Sequence, residues 1–216
     1  MLPDPTNPTP VSMPDGTPIP SVFQLSGVKQ HPNITVGRGA YASDNALPDD
    51  ILQTLAPYLF PGAPEKLTIG PFCQIAEGAR FITSSANHPM GGVTTFPFAI
   101  FDPARFVSYA FEVGPKPDTV IGADCWIGRD ALILPGAQIG NGVIIQAGAV
   151  VRGTVPDYAI VGGNPAQIIR MRFAENDIAR LLDLAWWNWP DAAISSAIGP
   201  LESGDIDALV ALKPDA

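Results

Sequence analysis

One six-residue register runs through the middle of this chain and restricts what it can fold into. Isoleucine or valine recurs at every sixth position, at Ile121, Ile127, Ile133, Ile139, Ile145 and Val151. Four residues after each of these comes a small residue or a valine, at Cys125, Ala131, Ala137, Val143, Ala149 and Val155. A fixed period makes each unit a copy that can bury its apolar residue only against neighbouring copies. Residues 120–156 are therefore a structural repeat.

A period of six matches neither an α-helix nor the simple alternation of a strand. It favours a short flat strand followed by a turn, with glycines giving the backbone freedom to bend at the corners. Parallel β-helices have this signature, with three strands in a coil of about 18 residues and coils stacked about 4.8 Å apart. A β-sandwich of many short strands is the alternative.

Composition limits the classes of function. The 216 residues suffice for one sizeable domain, and 12 basic against 21 acidic residues give a net charge of -9. Nucleic acid and anionic membranes both require basic surface, so neither is an expected partner. The first residues do not resemble a signal peptide and no stretch of about 18 apolar residues occurs, which makes the cytoplasm the expected location.

The histidines and cysteines argue against a metal site. His31 and His88 are the two histidines of the sequence, too few for the three-histidine zinc site of carbonic anhydrase-like repeat proteins. Cys73 and Cys125 both occupy the small inward position of a six-residue unit, where sulfur acts as a compact apolar group. We expect no metal cofactor and a structural role for both cysteines.

The repeat divides the chain into three parts. Residues 1–33 are rich in proline and predict an extended arm that lies on the coil or on a neighbouring subunit. Residues 34–166 predict the coil, interrupted by insertions at 43–66 and 86–119, the first with a short helix in ILQTLAPYLF. Residues 167–216 predict a helical segment, with helical spacing from Ile178 to Ala185 and a second short helix over 203–212.

The second insertion carries the strongest functional signal. Long irregular segments inside compact domains are uncommon and are usually functional or packed on a partner. This one contains five phenylalanines that cannot all lie in water, at Phe96, Phe98, Phe101, Phe106 and Phe111. We expect them to line an acceptor pocket or to wrap a neighbouring subunit. His88 stands where the insertion begins.

Several motifs together resemble a known family. The insertion begins ANHPM and contains TFPF, and the segments DCWIGRDALILPGAQIG, YAIVGGNPAQIIRMRF and WWNW follow in order. This combination, between Ile34 and Pro190, resembles the xenobiotic acetyltransferases, which include type B chloramphenicol and streptogramin A acetyltransferases. The resemblance implies a left-handed β-helix, a homotrimer with active sites between subunits, and transfer of acetyl from acetyl-CoA to a hydroxyl group of a small-molecule acceptor.

The resemblance also assigns residues. His88 falls on the catalytic base, and Trp126 on a tryptophan beside the acetyl-bearing arm of acetyl-CoA. Tyr41 and Ser43 fall near acceptor contacts, as do Asn87, Met90 and Phe96 of the insertion. Coenzyme A phosphates require cations, for which we expect Arg152, Arg170 and Arg172 near the GGNPA turn, with the amides of Gly162 and Gly163 as further contacts.

The chemistry agrees with His88 independently. A hydroxyl is too weakly acidic to attack a thioester unaided near neutral pH, so a positioned base must remove its proton. Imidazole is mostly neutral there and suits the task. No serine or cysteine stands in a nucleophile motif, which favours direct transfer over an acyl-enzyme.

Some positions depart from the family pattern. The loop reads HPMGG where the family has HRMDG or HRYDW, and Gly153-Thr154 follow Arg152 where the family has Lys-Asp. These departures affect the acceptor pocket and the phosphate contacts more than the acetyl chemistry. An acetyltransferase for a sugar or another endogenous alcohol therefore remains an alternative, as does a non-catalytic repeat scaffold.

Overall fold

A computed structural model of the chain describes residues 3–107, 109 and 117–214. The strands are β1 Val22–Gln24, β2 Ile34–Val36, β3 Tyr41–Ser43, β4 Leu67–Ile69, β5 Gln74–Ile75, β6 Arg80–Phe81, β7 Thr119–Ile121, β8 Trp126–Ile127, β9 Leu132–Ile133, β10 Gln138–Ile139, β11 Ile144–Ile145, β12 Val150–Val151, β13 Thr154–Val155, β14 Ala159–Gly163 and β15 Ala166–Met171. The helices are α1 Ile51–Leu55, α2 Glu175–Leu184, α3 Asp191–Ser203 and α4 Ile206–Leu212.

The strands form three sheets that are the faces of a coil. Sheet 1 has the strand order β1-β3-β5-β8-β11-β14-β15, sheet 2 the order β13-β10-β7-β4-β2, and sheet 3 the order β12-β9-β6. From β7 onward, consecutive strands visit sheets 2, 1 and 3 in turn, and pairing between coils is parallel. This arrangement fits the left-handed parallel β-helix. Antiparallel strands β1 and β15 close the two ends of sheet 1.

Stacked apolar residues fill the inside of the coil. In sheet 2, Val36, Ile69, Ile121, Ile139 and Val155 lie in one register row, one residue from each coil. Equivalent rows in the other sheets contain buried isoleucines from the same six-residue register. Each row buries side chains against copies above and below, which is why the period is kept.

Both insertions return to the coil at a strand of sheet 2, the first at β4 and the second at β7. The first replaces the sheet 3 strand of its coil with α1, which begins at the N-cap Asp50 and contacts β6. The second leaves after β6 and returns at β7. Strands β4 and β7 pair directly, with Ile69 opposite Ile121, so the ladder continues past the second insertion.

The arm lies on its own coil. Its strand β1 pairs with β3, Phe23 opposite Ala42. The Gln24 side chain is buried, and its Nε2 donates to the Asp4 carbonyl. The backbone N–H of Gln24 donates to the Pro8 carbonyl. Within one chain, these contacts place the arm against the coil.

The C-terminal segment differs from the sequence expectation in two respects. It begins with strand β15, which returns antiparallel along β14, and its first helix begins at Glu175, close to where the helical spacing starts in the sequence. The segment also contains α3, a helix that was not expected because Gly199 and Pro200 interrupt its sequence. Trp187 and Trp189 are buried among these helices, and the Trp186 ring lies 4.8 Å from Phe72 of the coil. No helix within the described ranges is long and apolar enough to span a bilayer.

Candidate active site

His88 follows a short 3₁₀ turn, Ser84–Ala86, at the start of the second insertion. Its imidazole is exposed, and Nδ1 lies 2.9 Å from the carbonyl oxygen of Thr95. A carbonyl oxygen only accepts hydrogen bonds, so this contact is satisfied when Nδ1 carries the proton. The neutral ring then keeps its lone pair on Nε2. His88 can therefore accept a proton through Nε2.

An aromatic flap, residues 89–107, continues the chain beyond His88. The ring of Phe96 stacks on Phe101 at 5.5 Å and lies 4.7 Å from Phe98. These rings, with Phe106 and Met90, are largely exposed to solvent. A cavity of about 200 Å³ lies beneath them, lined by Pro89, Thr94, Phe96, Pro97, Phe98, Ala99, Arg105 and Tyr109. Phe111 lies outside the described residues.

Tyr41 and Ser43 lie on a different face of the coil. Both belong to β3 in sheet 1, whereas His88 leaves from sheet 3. They line a cavity of about 700 Å³ between sheet 1 and the arm, together with Pro3, Asp4, Pro10, Val11, Val22, Gln24 and Gly39. The cavity has hydroxyl, amide and carboxylate groups as well as apolar walls. Within one chain, the two groups of expected acceptor residues are therefore separate.

Trp126 shares sheet 1 with Tyr41. The register row runs from Tyr41 through Gln74, Trp126 and Ile144. Ile127 beside it points into the coil and is fully buried, whereas Trp126 is 53% exposed. Outward display of an indole leaves it available to a molecule lying along this face.

The three arginines do not form one group in the single chain. Arg170 is exposed on β15 and lies opposite Ile160, in the same sheet as Trp126. Arg152 is exposed at the corner between sheets 3 and 2, the corner from which His88 leaves in an earlier coil. Gly162 is buried and Gly163 exposed, at the hairpin between β14 and β15, where Gly163 has φ +91°.

Arg172 has a structural position that the sequence did not indicate. Its Nη1 donates to the Gly142 carbonyl at 2.7 Å and lies 3.6 Å from Asp124. Its guanidinium also stacks over the rings of Tyr158 and Phe173, 5.4 Å from each centroid. Burial raises the pKa of Asp124 and Arg172 partly offsets that rise. Arg172 thus joins the coil to the C-terminal segment, and a contact with phosphate stays a prediction.

Sequence reasoning missed two polar residues near these sites. Gln24 lines the sheet 1 cavity and is buried, but an isolated glutamine in a proline-rich arm gives no pattern. Glu65 is buried at the corner beneath the second insertion, where its carboxylate accepts the Ser85 amide. The one sequence signal for Glu65 was its position at the end of an insertion.

The described residues contain no group of three histidine, cysteine, aspartate or glutamate side chains suited to a metal ion. The cysteines are free and buried, with Sγ of Cys73 3.1 Å from the Gly122 carbonyl and Sγ of Cys125 3.0 Å from the Gly140 carbonyl. Cys125 has a pKa well above its ordinary value, because it is hydrogen bonded to Cys73 and buried. Neither thiol can reach a substrate outside the coil.

Comparison with known proteins identifies the family. Residues 118–153 match the family "Bacterial transferase hexapeptide (six repeats)". A chloramphenicol acetyltransferase of Agrobacterium fabrum is 41% identical over 82% of this chain and 86% of its own length. One of Escherichia coli is 41% identical over 83% and 87%, and a virginiamycin A acetyltransferase of Staphylococcus aureus is 36% identical over 82% and 80%. The chain therefore belongs to the xenobiotic acetyltransferase family and is an acetyltransferase of the hexapeptide-repeat class.

Proposed function

We propose that this protein transfers acetyl from acetyl-CoA to a hydroxyl of an antibiotic-like acceptor of the chloramphenicol or streptogramin A type, with His88 as general base. The names of the relatives support the reaction class and the kind of acceptor. The contact between His88 Nδ1 and the Thr95 carbonyl carries the assignment of the base, because it leaves Nε2 free to accept a proton.

The same geometry supports direct transfer. Nε2 of His88 removes the hydroxyl proton as the acceptor oxygen bonds to the thioester carbon. The tetrahedral intermediate then collapses, the carbon–sulfur bond breaks, and the imidazolium returns its proton to the departing thiolate. The developing imidazolium remains hydrogen bonded to Thr95 through Nδ1. The buried cysteines support this route over a thioester intermediate on the enzyme.

Sheet 1 suits the acetyl donor. The exposed Trp126 indole and the exposed Ile168 and Ile169 side chains provide an apolar surface for the thin pantetheine arm. Arg170 supplies a cation on the same face, with Gly162 and Gly163 at the adjacent hairpin. Arg152, at the corner below the His88 insertion, is a second phosphate contact. We place the reaction in the cytoplasm, where acetyl-CoA is made.

A second copy of the chain completes the site in this proposal. His88 and the flap leave from one corner, while Tyr41, Ser43 and Trp126 lie on sheet 1. A threefold arrangement brings the corner of one subunit against sheet 1 of the next and covers the exposed flap rings. His88, Asn87, Met90 and Phe96 of one subunit then face Tyr41 and Ser43 of its neighbour.

Release of free thiol from acetyl-CoA tests the reaction. Chloramphenicol, a streptogramin A and simple sugars are offered separately, and reactions without acceptor give the background. We expect thiol release with the first two acceptors and acetylated product by mass spectrometry. Release with sugars alone would point to an endogenous alcohol, and no release with any acceptor would favour the scaffold.

Complementation between two inactive variants tests the shared site. One variant, His88→Ala, lacks the base. The other variant, Ser43→Trp, has its sheet 1 cavity filled by the tryptophan. If each site takes His88 from one subunit and Ser43 from the next, mixed trimers regain part of the activity after subunit exchange. Each variant exchanged with itself is the control. A mixed sample that forms trimers and stays inactive contradicts the shared site.

A further inference from the structure

Glu65 is a buried carboxylate at the corner where the two insertions stack. It is 5% exposed, and it precedes Lys66 at the end of the first insertion. The Asn33 side-chain amide fixes its backbone by donating to the Glu65 carbonyl at 2.9 Å and to the Ala63 carbonyl at 2.7 Å. The backbone of Glu65 is thus held by the residue that directly precedes β2.

The Glu65 side chain reaches across to the second insertion. Its Oε1 accepts the backbone N–H of Ser85 at 2.8 Å. Ser85 is the middle residue of the 3₁₀ turn, and the first N–H groups of such a turn have no partner within it. Glu65 therefore supplies the acceptor that this turn lacks, three residues before His88.

The neighbouring residue holds the other end of the same insertion. The Lys66 N–H donates to Oδ1 of Asp118 at 2.8 Å, and its carbonyl accepts the Thr119 N–H at 3.0 Å. Residues 65 and 66 consequently contact both the start and the return of the segment that carries His88. Glu65 is the one of the two that acts through a side chain.

The carboxylate is ionised near neutral pH. Burial raises the pKa of Glu65, but hydrogen bonding to Ser85, whose backbone N–H donates to Oε1, outweighs it and holds the pKa below its ordinary value. A charged acceptor makes a shorter and stronger hydrogen bond to a backbone amide than a neutral one does. The contact is suited to fixing a backbone position.

We propose that Glu65 is a positioning residue for His88, acting through the turn Ser84–Ala86. This inference rests on the proposed role of His88 as general base. A base must lie within hydrogen-bond reach of the proton it removes, and a displacement of about 1 Å costs about 10²-fold in rate. The Thr95 carbonyl orients the ring, and Glu65 fixes the backbone from which the ring extends.

Steady-state kinetics of Glu65→Ala and Glu65→Gln test the proposal. We expect Glu65→Ala to lower kcat about 10²-fold and leave KM for acetyl-CoA within about twofold, since the donor face is untouched. Glu65→Gln keeps an acceptor oxygen but not the charge, so we expect an intermediate loss of kcat of about 10-fold. This variant should also disturb folding less than Glu65→Ala does. Asp50→Ala is the matched control, because Oδ1 of Asp50 accepts the Gln53 amide at 2.9 Å in the same insertion but away from the turn. It should lower the melting temperature and retain kcat.

The double variant with His88→Ala separates positioning from a general structural role. If Glu65 acts through His88, then Glu65→Gln lowers the residual kcat of the His88→Ala enzyme no further. An equal loss in both backgrounds overturns the proposal, as does an unchanged kcat in both single variants. Full activity of His88→Ala would instead overturn the proposed function, so the two failures are distinguishable.

Discussion

The coil and the aromatic flap differ in the solvent exposure of their apolar side chains. Inside the coil, Ile127 and Ile133 are fully buried, each between partners from neighbouring coils. In the flap, Phe98 and Phe101 are 62% and 69% exposed, although their rings contact Phe96. A single chain therefore completes its own core but leaves the segment beside His88 uncovered.

This difference separates stability from function. Burial of apolar area stabilises the coil without help from another chain. The flap rings that the structure describes have little buried area, so we expect a neighbouring subunit or an acceptor molecule to cover them. Substitutions in the coil should change unfolding, and substitutions in the flap should change turnover or assembly. The following four predictions test that division.

The largest effect is expected at His88. His88→Ala should lower kcat by about 10²- to 10⁴-fold, because it removes the imidazole that takes the hydroxyl proton in the proposed reaction. The melting temperature should stay unchanged, since the imidazole is exposed. Thiol release and thermal unfolding provide the two measurements.

His31→Ala is the matched control for this variant, since it removes the other histidine of the chain. It should retain kcat. An enzyme that stays fully active without His88 would remove the flap corner from the catalytic site.

Ile133→Ala should give the largest loss of stability. It removes a fully buried side chain that lies between Phe81 and Val151 in sheet 3. The unfolding free energy should fall by about 2–5 kcal/mol, measured by chemical denaturation. Tyr58→Ala, at a half-exposed ring, should change it by about 0.5 kcal/mol or less. Equal losses for the two variants would contradict the division.

Phe98→Ser should weaken assembly more than folding. The ring is exposed in the single chain, and in the proposed trimer its loss removes contacts between subunits. We expect the concentration for half-dissociation to rise about tenfold by analytical ultracentrifugation. Phe60→Ser, also at an exposed ring, is the control and should leave assembly unchanged. Unaltered assembly of Phe98→Ser would mean that the flap covers the acceptor alone.

The smallest effect concerns acid stability through Glu65. Its folded pKa lies below the ordinary 4.5, so its contribution is complete above that pH and is lost as the pH falls through the folded pKa. Below pH 4.5 the wild type should therefore lose melting temperature more steeply than Glu65→Gln. Parallel slopes for the two proteins would show that Glu65 binds protons equally in both states.

The coil could be predicted from the sequence because its register repeats. Each inward residue has an equivalent six residues along the chain, and three such units make one coil. Ile121 therefore pairs with Ile139 of the next coil. The insertions could be located for the same reason, as interruptions of the register. His88 was identified from the motif at the start of an interruption, and its role as the base stays a prediction. The structure adds its Nδ1 contact with Thr95.

The remaining features have no periodic signal. Strand β15 pairs antiparallel with β14, including a register shift beside Ile160, which the six-residue pattern does not contain. Helix α3 includes Pro200, which predicts an interruption from the sequence. In the structure the helix forms because it buries Ile194 and Ala197 against its neighbours. The Glu65 contact joins residues 20 apart in sequence, and only the stacking of two corners brings them together.

The direct pairing of Ile69 with Ile121 means that the sheet 2 ladder passes from one coil to the next in spite of the insertion between β6 and β7. New flap sequences of other lengths could be grafted between β6 and β7 without altering any strand of the coil. Acceptor preference could then be re-engineered separately from the donor face, provided that the graft keeps an amide where Glu65 can receive it.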